Sequence, residues 1–184
     1  MTADQYRKKI QKCDKSALKK LWNSILMGKT PGWDNGMAFQ YMIIRAFELE
    51  KNVVTYPYEV LLPGKLRTLE QIDGVVYLKG IQLPILIESK DFNPNIPIDP
   101  IAKVRGLLQK RPTHLIASMF VTSGFTEPAL YNHTLVTDRT ILLWVPDDIT
   151  VCFKIGFTDG MIRKYRFALE HGKNVLNLKT DLGL

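Results

Sequence analysis

Thr68-Leu69-Glu70-Gln71-Ile72-Asp73-Gly74-Val75-Val76-Tyr77-Leu78, followed after Lys79-Gly80-Ile81 by Leu83-Pro84-Ile85-Leu86-Ile87-Glu88-Ser89-Lys90, is the stretch that decides the fold. The second run is apolar enough for a strand buried on both faces, yet it ends in two charges. Residues i and i+2 of a strand share a face, so Glu88 and Lys90 point the same way. If the chain folds back around Gly80-Ile81, Lys79 faces Gln82 and, in the same register, Asp73 faces Glu88. Two carboxylates and an ammonium then share one patch. Hard oxygen ligands beside an ammonium suit a divalent cation, Mg2+ or Mn2+, with waters and phosphate oxygens completing its shell. The same residues also fit a plain Glu88–Lys90 ion pair at a strand end, so the rest of the chain has to decide.

Outward from this hairpin, the periodicity predicts alternating element types. Upstream, Gly36 to about Glu50 reads as a helix capped by Asp34 or Asn35, and Asn52 to Leu62 as a strand. Downstream, prolines at 94, 97 and 100 make residues 91–97 a loop. Asp99-Pro100 then opens a helix over Ile101 to Lys110, with Lys103, Arg105, Gln109 and Lys110 outward. A strand over Thr113 to Thr122, a short helix over Glu127 to Asn132 and a strand over Arg139 to Val145 imply a parallel crossover. A last amphipathic helix over Asp159 to His171 is expected to expose Arg163, Lys164 and Arg166. The order predicts an α/β fold: a five-stranded mixed sheet flanked by helices.

Residues 3–27 read as helix, broken near Asp14-Lys15-Ser16. The first thirty residues hold eight basic side chains against Asp4 and Asp14, so +6 of the net +7 sits there. Gly28-Lys29-Thr30-Pro31-Gly32 is the plausible linker, which divides the chain into a basic helical segment (1–30) and a main domain (31–184). A local basic field fits a polyanion touched by one element, and equally a solvated helix face.

At 184 residues and 46% hydrophobic content the chain can bury one core. No stretch has the length of a transmembrane helix and the charged N-terminus holds no signal-peptide core, so no membrane is expected. Cys13 and Cys152 read as buried thiols of a reducing compartment, which points to the cytoplasm. His114, His133 and His171 are scattered, against a histidine metal site.

Asp73 with Glu88-Ser89-Lys90 resembles the PD-(D/E)xK nuclease motif. Over roughly residues 32–150 the chain is most similar to the Mrr-like restriction endonuclease group. Gly36-Met37-Ala38-Phe39-Gln40 resembles the helix-opening G-x-x-F-E of that group. Val121-Thr122-Ser123-Gly124-Phe125-Thr126-Glu127-Pro128-Ala129 resembles its turn between strand and helix, and Ile141-Leu142-Leu143-Trp144 its closing strand. The resemblance implies a restriction-endonuclease-like core with the basic helices as an N-terminal extension. It also implies a Mg2+-dependent DNA endonuclease of restriction or defence type, acting as a homodimer.

In that scheme Asp73, Glu88 and the backbone carbonyl of Ser89 hold the metal, while Lys90 orients or deprotonates the attacking water. Gln40 stands where the group carries glutamate and supplies no charge; Glu48, Glu50, Glu59 and Glu70 are possible replacements. Lys103, Arg105 and Lys110, with Lys12 and Lys19 of the basic segment, are the candidate DNA contacts. Two other functions stay open: a non-catalytic DNA-binding module that keeps the nuclease fold, motivated by Gln40, and a structure-selective nuclease of junctions or repair intermediates.

Overall fold

The computed structural model describes residues 1–62, 64, 67–81, 83–135 and 140–184. The expected Lys79–Gln82 pairing and the expected strand start at Arg139 lie partly outside the described residues.

The helical N-terminus is α1 (Ala3–Gln11) and α2 (Lys15–Leu26). The side chain of Asp14 accepts from the Ala17 N–H and starts the second helix, which explains the break. Their apolar stripes do not stand apart: Tyr6, Ile10, Leu18 and Trp22 lie in the same buried cluster as α3 (Met37–Leu49). The Trp22 indole N–H also donates to Thr150 Oγ1, 3.0 Å away near the other end of the chain.

Five strands form the main sheet: β1 (Val53–Thr55), β4 (Gly74–Tyr77), β5 (Pro84–Lys90), β6 (Ile116–Val121) and β7 (Ile141–Trp144), in spatial order 1-4-5-6-7. The pairs β1–β4 and β4–β5 are antiparallel, and β5–β6 and β6–β7 parallel, so the sheet is mixed as expected. The expected fold-back register holds, with Gly74 opposite Ile87 and Tyr77 opposite Pro84. One face packs on α3 and its neighbours through Ile85, Ile87 and Phe120. The other, through Leu86, Ala117 and Met119, packs with α4 (Ile98–Gln109) and α5 (Glu127–Leu135).

Two expected long strands are each broken. The run from Asn52 divides into β1 and β2 (Tyr58–Leu61), and the run from Thr68 into β3 (Thr68–Ile72) and β4. β2 and β3 form a separate two-stranded ribbon in which Tyr58 faces Ile72, continuing the register in which Val53 faces Tyr77. It is one long hairpin, interrupted at Pro57 and Asp73. Proline has no N–H for the ladder, so pairing lapses where Asp73 would be its partner.

Several boundaries differ from the sequence reading. Gly36, in the left-handed region at φ 78°, is the N-cap of α3, where Asp34 or Asn35 was expected. Asp99 lies in the first turn of α4 rather than at its cap, where its charge still suits the positive helix end. The strand expected from Thr113 begins at Ile116, because 113–114 form a turn. A further helix, α6 (Pro146–Ile155), precedes α7 (Phe157–His171), and a short α8 (Leu178–Asp181) follows.

Lys164 corrects an expectation outright. It is 1% exposed and pairs with Asp148 at 2.9 Å, donating also to the Leu143 carbonyl at 2.8 Å and to the Leu176 carbonyl. Asp148 in turn accepts from the N–H groups of Leu178 and Val145. Cys152 is buried as expected; Cys13 is only half-buried.

Candidate functional site

The break in the long hairpin makes the site. Released from the ladder, Asp73 turns its carboxylate to three donors. Ser89 N–H and Ser89 Oγ donate to Oδ2 at 2.8 and 2.9 Å, and Gln40 Nε2 donates to Oδ1 at 2.6 Å. Gln40 reaches this far because α3 lies close to the sheet at Gly74. A β-carbon there would stand 2.4 Å from Ile44 Cδ1 and 2.8 Å from the Thr55 carbonyl. Gln40 and Ile44 are one helical turn apart on one face, so the glycine that seats Ile44 also brings Gln40 to Asp73.

Glu88 lies at the C-terminal end of β5, 3% exposed, and pairs with Lys90 at 2.5 Å. Burial first, and then the Asp73 carboxylate, push the Glu88 carboxyl above the ordinary glutamate range. Burial alone would lower Lys90, but the Glu88 charge and its hydrogen bond outweigh it and hold the ammonium above its usual value. In this arrangement Lys90 is a cation that orients a partner.

Gln40, Asp73, Glu88, Ser89, Lys90 and Lys103 line a single open cavity of about 250 Å3. Among the sequence-derived candidates these six converge. Lys12 and Lys19 are exposed on the basic helical segment and do not line it. Lys110 pairs with Glu70 at 2.7 Å, and Arg105, expected to point outward, is half-buried. The four alternative carboxylates are all engaged elsewhere. Glu48 binds Arg45 and Tyr56, Glu50 accepts from the N–H groups of Phe157 and Thr158, and Glu59 accepts from Thr68. Glu70 is held by Lys110 and Arg111, whose hydrogen bonds keep its carboxyl below the ordinary range.

Asn35, Gly36, Met37, Gln71 and Asp91 also line the cavity, and the sequence assigned none of them a catalytic or binding role. Gln71 had a signal, two residues before Asp73 on one strand. Gly36 and Met37 had one as well, in the helix-opening run that ends at Gln40, where the left-handed Gly36 decides the path of the backbone.

One atom tests whether a cation fits. Gln40 Oε1 is buried and, with its amide nitrogen committed to Asp73, has no hydrogen-bond partner among the described residues. A buried acceptor without a donor is costly. Gln40 lines the same cavity as two buried carboxylates, and such an all-oxygen set suits a hard divalent cation. Among the described residues no three His, Cys, Asp or Glu side chains converge, so a metal here would rest on two carboxylates completed by neutral oxygens.

Among the described residues no helix is long and apolar enough to cross a membrane. No protein-family model matches the chain, and no curated protein matches it in sequence.

Proposed function

We infer that the chain hydrolyses phosphodiester bonds of DNA at the Asp73–Glu88–Lys90 cavity, as a Mg2+-dependent endonuclease. The observation that carries this reading is the pairing of two buried carboxylates with an orphaned Gln40 Oε1 and a charged lysine in one open pocket. The five-stranded mixed sheet with helices on both faces is compatible with a restriction-endonuclease-like core.

The oxygens that would hold the cation are the Asp73 and Glu88 carboxylates, the Ser89 carbonyl and Gln40 Oε1. When bound, Mg2+ supplies Lewis-acid relief of charge on the phosphate and acidifies water at the site. The protein's own part is positioning. Ser89 fixes the Asp73 carboxylate through two hydrogen bonds to one oxygen, leaving its orientation set before any ligand arrives. Lys90 orients a water at the site and, as an ammonium, offsets negative charge that builds on phosphate. Lys103, exposed at the rim with no ion pair among the described residues, is placed to meet a non-bridging phosphate oxygen. Lys12 and Lys19 would add sequence-independent affinity from the basic helices.

The test is nicking of supercoiled plasmid in Mg2+. Wild type converts it to the open circle, and Asp73→Ala lowers the rate by at least about a hundredfold, the scale of losing a charge-stabilising group. Equal rates in both proteins would end this reading. The non-catalytic alternative rests on Gln40, which leaves the site one negative charge poorer than an acidic residue would. Magnesium calorimetry separates the two: no heat of binding, with salt-dependent DNA affinity intact, favours the binding module.

A further inference from the structure

The β2–β3 ribbon has two faces of different character. Tyr58, Val60, Glu70 and Ile72 share one face; Val60 and Ile72 pack with the α4 cluster, the Glu70 carboxylate is held by Lys110 and Arg111, and Tyr58 is left open at the end next to the sheet. The opposite face carries Glu59, Leu61, Leu69 and Gln71, all exposed, with the two leucines 47% and 53% open. Glu59 stands directly across from Gln71, and Gln71 lines the cavity two residues before Asp73. The bare face is therefore continuous with the site. An ordinary solvent-facing strand alternates to polar and charged residues, whereas adjoining open leucines mark a contact surface.

We propose that this face reads DNA sequence: the ribbon lies in the major groove of the duplex whose backbone crosses the cavity. This rests on the DNA-cleavage reading above. A major groove roughly 12 Å wide admits a two-stranded ribbon whose strands are about 4.8 Å apart. The side chains match the chemistry of base edges. The Gln71 amide, with no hydrogen-bond partner among the described residues, can donate and accept at once, as adenine N6 and N7 require. The Glu59 carboxylate, steadied by Thr68 Oγ1 at 2.6 Å, accepts from cytosine N4, and Leu61 and Leu69 suit thymine methyls. Glu70, the acid that would repel phosphates, is turned inward and neutralised. The polar pair beside the leucines also argues against an apolar docking partner for this face, since its ends would stay unsatisfied.

The experiment is selection from a randomised duplex pool in EDTA buffer, followed by sequencing of the retained DNA. It compares wild type, Glu59→Ala, Glu59→Gln and Leu69→Ala, each first checked for an unchanged urea midpoint. Wild type is expected to enrich defined bases over a short run. Glu59→Ala and Leu69→Ala each lose about tenfold of that enrichment at one or two adjoining positions, and Glu59→Gln shifts the preferred base rather than erasing it. Retention of DNA and plasmid nicking without any base preference would overturn the ribbon's role while leaving the nuclease reading intact. Preferences unchanged in the variants would overturn it too, as would a wild-type dimer that Leu69→Ala dissociates. If wild type retains no DNA, the ribbon's role falls, and the nicking assay in Mg2+ decides the nuclease reading separately.

Discussion

At Gln40 the chemistry turns on which end of an amide meets a carboxylate. The amide N–H of Gln40 points at the Asp73 oxygen, and Oε1 is left buried without a donor among the described residues. Gln40→Glu replaces a neutral oxygen by a charged one beside Asp73 and Glu88. Mg2+ affinity measured by calorimetry is expected to rise about tenfold, and the thermal midpoint of the metal-free protein to fall as a third carboxylate joins two. Unchanged affinity would mean that Gln40 does not reach the cation. Glu88 gives a second, pH-dependent prediction at this scale. Its carboxyl is raised, so in the metal-free protein its protonation favours the folded state. That contribution is fully present below the unfolded pKa of glutamate and disappears as pH rises through the higher folded one. A cation reverses the sign, since it requires the carboxylate. Added Mg2+ at about a hundred times its dissociation constant stabilises by ~2.7 kcal/mol. The resulting shift in thermal midpoint should be full at neutral pH and fade as pH falls through the raised Glu88 pKa. Glu88→Gln should show no Mg2+-dependent shift at any pH. A shift that persists in that variant would place the cation elsewhere.

At the scale of elements, the site depends on how closely α3 approaches the sheet. Gly74→Ala puts a methyl within 2.4 Å of Ile44 and 2.8 Å of a backbone carbonyl, and only the side chain can give way. Destabilisation of roughly 1–3 kcal/mol is expected from overpacking. Ile44→Val in the Gly74→Ala background should restore part of it, read as the coupling in a urea double-mutant cycle. Additive losses would show that the backbone contact with Thr55 dominates. The Asp73–Glu88 register was legible in the sequence because strands have a period of two and the fold-back point was marked by Gly80-Ile81. The break beside it carries a mark as well, Pro57, which has no N–H for the ladder and divides the expected strand into β1 and β2. The α6 helix was also legible in retrospect: Pro146-Asp147-Asp148 is a first-turn proline followed by acids, the order that suits a helix start. Gln71's place in the site was legible in part, because its spacing from Asp73 puts both on one strand face, whereas the separation of the ribbon from the five-stranded sheet follows from tertiary pairing rather than from local pattern.

Across the whole molecule, buried polar groups join elements far apart in sequence. Lys164 of α7 is held by Asp148 of α6 and by carbonyls of β7 and of the segment before α8. Its periodicity reads as outward only because a lysine is counted as polar, and its partner belongs to another helix. Burial pushes the ammonium below its usual value against the pull of Asp148. Lys164→Ala leaves the Asp148 charge buried with its cation gone, and about 3–5 kcal/mol of stability should be lost in urea unfolding. Lys164→Met with Asp148→Leu removes both charges and should recover most of that loss. Failure of the double variant to recover would locate the cost in the carbonyl hydrogen bonds instead. Trp22 makes the basic N-terminus part of the same unit, because its helices complete the cluster over α3 and its indole is tied to α6 through Thr150.

The interruption at Pro57 and Asp73 also sets a rule of parity. Strand alternation repeats every two residues, and the ribbon beyond the break shares no ladder with the five-stranded sheet. A matched pair of residues added to each arm between the break and the tip lengthens the ribbon without disturbing Gln40, Asp73 or Glu88, and keeps every outer side chain outward. A single residue added to each arm inverts the whole face and buries what was exposed. The ribbon is thus an exchangeable cassette with an even-numbered thread, mounted on the very residue that the proposed chemistry needs.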